Sequence, residues 1–279
     1  MIVAVASGKG GTGKTTVAVN LAGSVGTDIQ LLDCDVEEPN CHLFIKGTVR
    51  HENTVGIPVP RVDESLCDGC GECGRFCQYH AIASIGTKPL IFPEMCHGCG
   101  GCAKVCPKKA IADVNHRIGT IRIIEAGPIT LTEGKIDVGV AMAPPMIREV
   151  KLKMRKNIDA ILDAPPGTSC PVIAAVRGSD FVVMVTEPTP FGLHDLQIAV
   201  DTIRQLTIPF GVVVNRMGIG DDRIHQFCRE QQIPILVEFP DDRRIAEEYS
   251  KGNLIIESLP QYRSIFESLW ERVWNSVHP

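Results

Sequence analysis

Three features that would indicate export, a membrane or nucleic acid are missing from this sequence of 279 residues. No apolar run approaches the roughly 18 residues of a membrane-spanning helix. The first residues lack a basic region followed by a long apolar stretch, so we expect no signal peptide. No long block of Lys or Arg occurs and the net charge is −5, which argues against a nucleic-acid partner. We therefore expect a cytoplasmic protein that binds neither membranes nor nucleic acid.

Cysteine, in contrast, is abundant. The chain has 12 cysteines, and without an export signal we do not expect them to form disulfides. Eight of them form two clusters with the same spacing, Cys67, Cys70, Cys73 and Cys77, then Cys96, Cys99, Cys102 and Cys106. The other four are Cys34, Cys41, Cys170 and Cys228. A reducing compartment is consistent with this usage.

Outside the cysteine-rich region, short apolar runs alternate with amphipathic segments of helix length. The predicted strands are Ile2–Ala6, Ile29–Asp33, Val138–Ala141, Ala160–Asp163, Phe181–Thr186, Phe210–Asn215 and Ile235–Glu238. The predicted helices are Lys14–Val25, Pro145–Lys156, Pro171–Arg177, Leu193–Leu206, Asp222–Gln231, Arg243–Lys251 and Tyr262–Ser276. Strands that are almost wholly apolar suit a parallel sheet covered by helices on both faces. The predicted fold class is therefore α/β, a doubly wound, mostly parallel sheet that binds ligands at the carboxyl ends of its strands.

The region from 62 to 119 interrupts this alternation and contains an internal repeat. CDGCGECGRFCQYHAI at 67–82 is followed 29 residues later by CHGCGGCAKVCPKKAI at 96–111. We therefore predict a small α+β domain, 62–119, inserted into an α/β domain that is formed by 1–61 and 120–279.

Each half of the repeat follows C-x₂-C-x₂-C-x₃-C, the run of bacterial ferredoxins, in which the fourth cysteine binds the other cluster. Thiolates are soft, anionic ligands that suit iron–sulfur centres. The predicted ligands of two [4Fe–4S] clusters are Cys67, Cys70, Cys73 and Cys106 for one, and Cys96, Cys99, Cys102 and Cys77 for the other. The segment thus resembles a two-cluster ferredoxin, although Gln78 stands where the pattern has the proline that Pro107 keeps. Two zinc sites are the alternative, but zinc usually takes two separated cysteine pairs.

A phosphate loop follows the first predicted strand. Residues 8–15 fit G-x-x-x-x-G-K-[ST], in which backbone N–H groups and the lysine bind nucleotide phosphates. The predicted phosphate-binding residues are Gly8, Gly10, Gly11, Thr12, Gly13, Lys14, Thr15 and Thr16. The pattern needs one lysine, Lys14, so the second lysine of the loop, Lys9, requires its own explanation.

Two predicted strands end in aspartates at the sheet edge where the phosphates should lie. Asp33 and Asp35 end the run IQLLDCD, whereas Asp163 ends AILD and is followed closely by Gly167. A phosphate loop needs an acidic residue near Mg²⁺ and a group that senses the γ-phosphate. These residues are the candidates for both roles.

KGGTGKTT, LLDCDVEEPN, DAPPGTSCP, VVVNRMG and EFPDDRRIAEEYSKG together resemble the deviant Walker A ATPases. That family includes the cell-division protein MinD, the partition protein ParA, the Mrp-type scaffold proteins and the nitrogenase iron protein. The most similar subgroup is the MinD-like ATPases with an inserted ferredoxin domain. The resemblance implies ATP or ADP with Mg²⁺ as ligands. It also implies a homodimer, or a heterodimer with a paralogous ATPase, and a redox or assembly partner whose identity is open.

The resemblance implies roles for individual residues. The catalytic residues would be Lys9, Lys14, Asp35 and Asp163, with Thr15 on Mg²⁺. The other ligand-binding residues would be Asp33 near the metal and Gly167 at the γ-phosphate. At the base they would be Asn215, Arg216, Pro240 and Asp241. Lys9 would reach the phosphates of the partner subunit, as an arginine finger does; a merely solvated lysine is the alternative. The run NRMG lacks the guanine signature N-K-x-D, which favours ATP over GTP.

The function predicted from these features is a dimeric ATPase that couples nucleotide state to electron transfer through two clusters. The alternative is an ATPase that assembles or carries iron–sulfur clusters or metal cofactors, and a MinD-like positioning ATPase ranks third. Two further expectations concern single features. Cys170 is predicted to be a buried or interface thiol rather than a ligand of a third cluster, and the last helix is predicted to pack on the sheet rather than to bind a membrane.

Overall fold

The computed structural model describes residues 1–86 and 88–278. The strands are β1 Ile2–Ala6, β2 Ile29–Asp33, β3 Thr48–Val62, β4 Ile82–Ile85, β5 Lys88–Ile91, β6 Ile111–Ala126, β7 Ile129–Ile136, β8 Ala160–Asp163, β9 Phe181–Thr186, β10 Phe210–Met217 and β11 Ile235–Pro240. The helices are α1 Lys14–Ser24, α2 Glu72–Phe76, α3 Gly101–Val105, α4 Ala143–Lys151, α5 Cys170–Val176, α6 Pro190–Gln205, α7 Arg223–Glu230, α8 Arg243–Ser250, α9 Ile255–Ser258 and α10 Arg263–Val277. Single 3₁₀ turns are Cys41–Leu43, Pro93–Met95 and Pro260–Tyr262.

In the described part of the chain, nine strands form one sheet in the order β11-β10-β9-β1-β8-β2-β7-β6-β3. Neighbouring strands from β11 to β7 are parallel. β1, β2, β8 and β9 are buried along almost their whole length, as expected for strands covered on both faces. These four strands begin and end at the predicted residues. The predicted α/β fold with a mostly parallel sheet is confirmed.

The predicted strand Val138–Ala141 is wrong. The strand in this part of the sheet is β7, which ends at Ile136 and pairs in parallel with β2. Val138 is fully exposed, and Gly139 has a φ of 92°, a left-handed conformation that interrupts an extended run. The pattern of long apolar runs does not predict β7, because β7 borders the antiparallel strand β6 and buries polar residues, including Glu133.

Helix α4 is also shorter than the prediction Pro145–Lys156. It ends at Lys151, and the backbone N–H of Met154 donates to the Lys151 carbonyl in a turn that follows it. α4 is nevertheless firmly packed, since Met146, Ile147 and Val150 are completely buried.

β3 and β6 form a long antiparallel ribbon at one edge of the sheet. Their pairing runs from Thr48 opposite Glu125 to Val62 opposite Ile111. β6 pairs with β7 only from residue 119 onwards, which is the predicted end of the insertion. The far half of the ribbon therefore extends beyond the parallel sheet and carries residues 63–86 and 88–110 at its tip.

Two apolar cores cover the two faces of the sheet. α1, α9 and α10 contribute to one core, and α4, α5, α6 and α7 contribute to the other. In α10, Phe266, Leu269 and Val273 are buried against α1 and β11, which confirms that the last helix packs on the sheet. Within the described residues, no helix is both long and apolar enough to cross a membrane.

Candidate functional site

The phosphate loop joins the end of β1 to the start of α1 and depends on glycine for its shape. Gly11 and Gly13 have φ values of 77° and 95°, which favour glycine. A Cβ on Gly13 would lie 2.4 Å from Nδ2 of Asn215, and a Cβ on Gly8 would lie 2.2 Å from the carbonyl oxygen of Asp195. The loop is thus packed against β10 and α6, which fixes its curvature at the amino end of α1.

The remaining loop residues lie where the pattern predicts them. Lys14 is buried at the start of α1, and Gly10 is exposed. The hydroxyl of Thr12 is buried without a hydrogen-bond partner among the described residues, and Thr16 lies in the first turn of the helix. Backbone N–H groups at this helix terminus provide the donors that nucleotide phosphates need.

Two buried aspartates lie side by side below the loop. Asp33 and Asp163 end the neighbouring strands β2 and β8 and are directly paired in register. Thr15 Oγ1 donates to Asp163 Oδ2 at 2.6 Å, whereas Asp163 Oδ1 is buried without a partner among the described residues. A hydroxyl beside an unpaired carboxylate oxygen is a donor set that Mg²⁺ prefers. Thr15, the residue predicted on Mg²⁺, and Asp163, predicted as catalytic, therefore fit that ion together.

Asp33 also has a structural role, which the sequence did not indicate. Its carboxylate accepts hydrogen bonds from the backbone N–H groups of Asp35, Asn40 and Cys41, at 3.1, 2.9 and 3.0 Å. Asp33 thereby holds the loop that follows β2 in a closed curve. It sets the position of Asp35, the predicted water-orienting residue.

Burial controls the ionisation of these groups. Burial raises the pKa of Asp163 to about 6, although the hydrogen bond from Thr15 and the charge of Lys14 oppose the shift. Burial likewise raises the pKa of Asp35 to about 6, and Lys14 again opposes it. The pKa of Lys14 is lowered by its own burial and raised by both acids. Lys14 and the two acids thus bring their charges together in a poorly solvated environment.

Cys41 is an additional member of this cluster that sequence reasoning left without a role. Its thiol lies 3.6 Å from Asp163 Oδ2, and candidate ligand atoms of Asp33, Cys41 and Asp163 lie within 4.8 Å of one another. All three residues are buried. No motif marks Cys41; its backbone bond to Asp33 brings it there.

Lys9 does not contact the aspartate pair. Its ammonium group forms an ion pair with Oε1 of Glu187, whose Oε2 lies 3.4 Å from Nη1 of Arg216. Glu187 directly follows β9 and was not among the predicted site residues. It has no local motif, and only the parallel pairing of β1 with β9 brings it beside the loop.

The predicted base-binding residues surround the other end of the loop. Asn215 Nδ2 donates to the Thr12 carbonyl at 2.8 Å, and Arg216 is the exposed residue that follows. Pro240 ends β11, and the backbone N–H of Asp241 bonds to the carbonyl of Met217. The carboxyl ends of β10 and β11 therefore lie together beside the loop.

The loop after β8 holds the predicted γ-phosphate contact. Gly167 has a φ of 98°, and its backbone N–H donates to the Ser7 carbonyl at 3.1 Å. This N–H lies beside the phosphate loop, and it must leave Ser7 before it can bind a phosphate. Cys170 follows at the start of α5 and is exposed, so it is not buried within the chain, and its alternative role as an interface thiol stays a prediction.

Eight cysteines at the tip of the ribbon line two separate cavities. The first cavity is lined by Cys67, Cys70, Cys73 and Cys106. The second is lined by Cys77, Cys96, Cys99 and Cys102 and encloses about 460 Å³. In each cavity the fourth thiol comes from the other half of the repeat, as the sequence predicts. Four thiols around one space are the donor set of a [4Fe–4S] cluster, so the thiols that line each cavity suit that group.

The two halves of the repeat have the same local geometry. α2 and α3 each begin after a left-handed glycine, Gly71 and Gly100, with φ values of 76° and 64°. Each helix ends in an extended cysteine, Cys77 with φ −72° and ψ 103°, and Cys106 with φ −73° and ψ 112°. The turn after Cys77 therefore keeps the shape of its counterpart although Gln78 replaces proline.

Comparisons with known proteins agree with the fold of the nucleotide-binding part of the chain. Residues 3–255 match the family model described as the CobQ/CobB/MinD/ParA nucleotide binding domain. An uncharacterised protein of Methanocaldococcus jannaschii is 33% identical over 264 residues, which cover 92% of each chain. The iron-sulfur cluster carrier protein of Aquifex aeolicus is 25% identical over 278 residues, 93% of this chain and 62% of that protein.

Among solved structures, the septum site-determining protein MinD of Pyrococcus horikoshii, in complex with Mg-ADP, has a similar fold. Its TM-score is 0.63 at 19% identity, and the match covers 98% of this chain and 95% of that one. The family model spans most of this sequence and includes the phosphate loop between β1 and α1. The chain therefore belongs to the CobQ/CobB/MinD/ParA family of nucleotide-binding domains.

Proposed function

We propose that the protein is a dimeric ATPase that couples its nucleotide state to electron transfer through two [4Fe–4S] clusters. One observation carries the proposal: the β3–β6 ribbon, which belongs to the same sheet as the candidate nucleotide site, joins that site to the two four-thiol cavities. The clusters, when bound, supply one-electron carriers. The rest of the proposal concerns what the side chains of this chain do.

In the nucleotide site, Lys14 and the amides of the loop bind the β- and γ-phosphates, and Thr15 with Asp163 holds Mg²⁺. Asp35 orients the attacking water at the end of β2. Asn215, with its neighbour Arg216, faces the adenine. The support for these roles is the placement of each group at the carboxyl edge of the sheet, where ligands of doubly wound folds bind.

Contacts of α4 support coupling between the two sites. In the last turn of α4, Arg148 Nη2 donates to the carbonyl of His97, which lies between two cysteines of the second cavity, at 3.5 Å. At its last residue, Lys151 Nζ donates to three carbonyls at the end of α5, those of Ala174, Ala175 and Arg177. α5 follows the loop of Gly167. α4 thus contacts a cluster loop directly and the loop of Gly167 only through α5, whose far end Lys151 holds.

Cluster carriage is the second candidate, because several relatives are named iron-sulfur cluster carrier proteins. A carrier must release its cluster, whereas four thiols from both halves of a folded repeat favour retention. An anaerobic transfer assay to an apo-acceptor protein separates the two. We expect no ATP-dependent loss of iron from this chain; stoichiometric transfer would favour the carrier.

The metal content of the chain tests the cysteine assignment. When purified without oxygen, the protein should contain about eight iron atoms per chain with matching acid-labile sulfide, the sum of two cubane clusters. Iron and sulfide are measured on the same sample as zinc. Two zinc atoms without sulfide would contradict the proposal.

The crossed ligand sets predict a non-additive pattern of iron loss. Cys77→Ala should remove the cluster of the second cavity, about four iron atoms. Adding Cys102→Ala should cost no further iron, because both ligands serve one cluster. Adding Cys73→Ala instead should remove nearly all iron. Cys170→Ala, an exposed thiol outside both cavities, is the control; a pattern in which Cys77 pairs with Cys73 would refute the crossing.

A further inference from the structure

The feature that the proposed mechanism leaves unexplained is the partner of Lys9. The Lys9 ammonium group is paired with Glu187 of the same chain, while the resemblance to the deviant Walker A ATPases implies a role for that ammonium at the phosphates of a second chain. The side chain of Lys9 is 30% exposed and that of Glu187 is 10% exposed. The pair therefore lies at the rim of the site, with the lysine on the accessible side.

Glu187 is the fixed member of the pair. Its carbonyl accepts the backbone N–H of Thr189 at 2.8 Å, and Thr189 Oγ1 caps α6 by accepting from the Gly192 N–H at 3.0 Å. The turn from β9 into α6 is tight, since a Cβ on Gly192 would lie 2.2 Å from the Glu187 carbonyl oxygen. The backbone of Glu187 is therefore held in a tight turn, which limits how far its carboxylate can move.

Lys9, in contrast, is the movable member. It lies between Gly8 and Gly10 in the loop, and its side chain is the more exposed of the two. If it departs, the Glu187 carboxylate keeps Arg216 as a cation, 3.4 Å from Oε2, and the hydroxyl of Thr189, 3.5 Å from Oε1. Departure of Lys9 therefore leaves no isolated buried charge, which would otherwise be costly.

We propose that Glu187 is a positioning residue that retains Lys9 within the free monomer and releases it only to the phosphates of a nucleotide bound by a second copy. This inference rests on the proposed role of Lys9 across the dimer. Competition with Glu187 weakens dimerisation with either nucleotide. Because a triphosphate offers the ammonium more negative charge than a diphosphate, it is the diphosphate form that this competition keeps monomeric. Glu187 acts through Lys9 and does not touch the reacting atoms.

Glu187→Gln keeps the size of the side chain and removes its charge. We expect it to tighten dimerisation about five- to tenfold with Mg-ADP, because the hydrogen bond to a charged group that retained Lys9 is weakened. The gain with the non-hydrolysable analogue Mg-AMPPNP should be similar, so the variant dimerises with ADP at protein concentrations where the native chain is monomeric. Sedimentation velocity on the cluster-loaded protein measures both.

Glu271→Gln is the matched control, since it changes the net charge equally on the exposed face of α10. Glu187→Asp should restore the weaker, native dimerisation with Mg-ADP, at least in part. If Glu187→Gln and the native protein dimerise alike with both nucleotides, retention of Lys9 by Glu187 is refuted. Adding Lys9→Ala to Glu187→Gln should abolish the gain, because the proposed effect acts only through Lys9.

Lys9→Ala alone separates retention by Glu187 from the contact of Lys9 across the dimer. Loss of the AMPPNP dimer in Lys9→Ala, together with native behaviour of Glu187→Gln, overturns the inference and leaves the proposed function intact. A Lys9→Ala protein that dimerises and hydrolyses ATP like the native chain overturns the contact across the dimer itself. Amine labelling of the native chain gives an independent measure: Lys9 should be labelled faster in Glu187→Gln than in the native protein, and equal rates would count against retention.

Discussion

Lys14→Ala is expected to weaken ATP binding by about 100-fold or more. The lysine supplies charge-assisted hydrogen bonds to phosphate, each worth about 1.5–3 kcal/mol. It is also the cation that offsets two acids, since its charge opposes the raised pKa of both Asp35 and Asp163. Without it, the phosphates would face uncompensated carboxylates. Equilibrium titration with a fluorescent ATP analogue in the presence of Mg²⁺ measures the effect.

Lys9→Ala is the matched control for that experiment, because it removes the same charge from the same loop. It should bind ATP with nearly native affinity, since Lys9 faces Glu187 and not the aspartate pair. Thermal unfolding of each variant shows whether the fold is retained. Native affinity in Lys14→Ala would mean that the nucleotide binds elsewhere.

Phe266→Ala should reduce the free energy of unfolding by about 3–5 kcal/mol, the usual cost of emptying a large aromatic site. The ring is 1% exposed and lies with its centroid 4.8 Å from that of Phe239. It joins α10 to the last strand of the sheet, where neighbouring groups cannot easily fill the cavity. The shift of the urea midpoint at constant slope measures the loss.

Trp274→Ala, in the same helix, provides the comparison. Its side chain is 41% exposed and stacks on His278 rather than on the core. We expect a change within about 1 kcal/mol, as for most surface positions. Equal losses in the two variants would contradict the packing described for α10.

The sequence predicts the parallel half of the fold well because burial on both faces leaves one simple signal. β1, β2, β8 and β9 are almost wholly apolar, and their bounds agree with the structure. The ribbon carries no such signal. β3 contains Pro58 and Pro60, which normally argue against a strand, but β3 lies at the edge of the sheet, where a missing N–H donor is tolerated.

The site residues also fall into two groups, those that the sequence predicts and those that it does not. Lys14, Thr15 and Asp163 belong to patterns in which spacing along the chain reflects the chemistry, so sequence reasoning finds them. Glu187 and Cys41 are brought to the loop by strand pairing and by a backbone hydrogen bond to Asp33. Contacts between residues far apart in the chain leave no local pattern, and they could be found only in the folded structure.

The ribbon has a consequence for how such a chain could arise. Val62 and Ile111 face each other at its tip, so a two-residue turn could close β3 onto β6 and replace everything from 63 to 110. A hairpin tip tolerates long insertions, since each doubling of loop length costs only about 0.6 kcal/mol. The order and register of the parallel strands would be the same with or without the cysteine-rich segment. A nucleotide-binding ancestor could therefore acquire or discard that segment as a cassette, without redesigning its core.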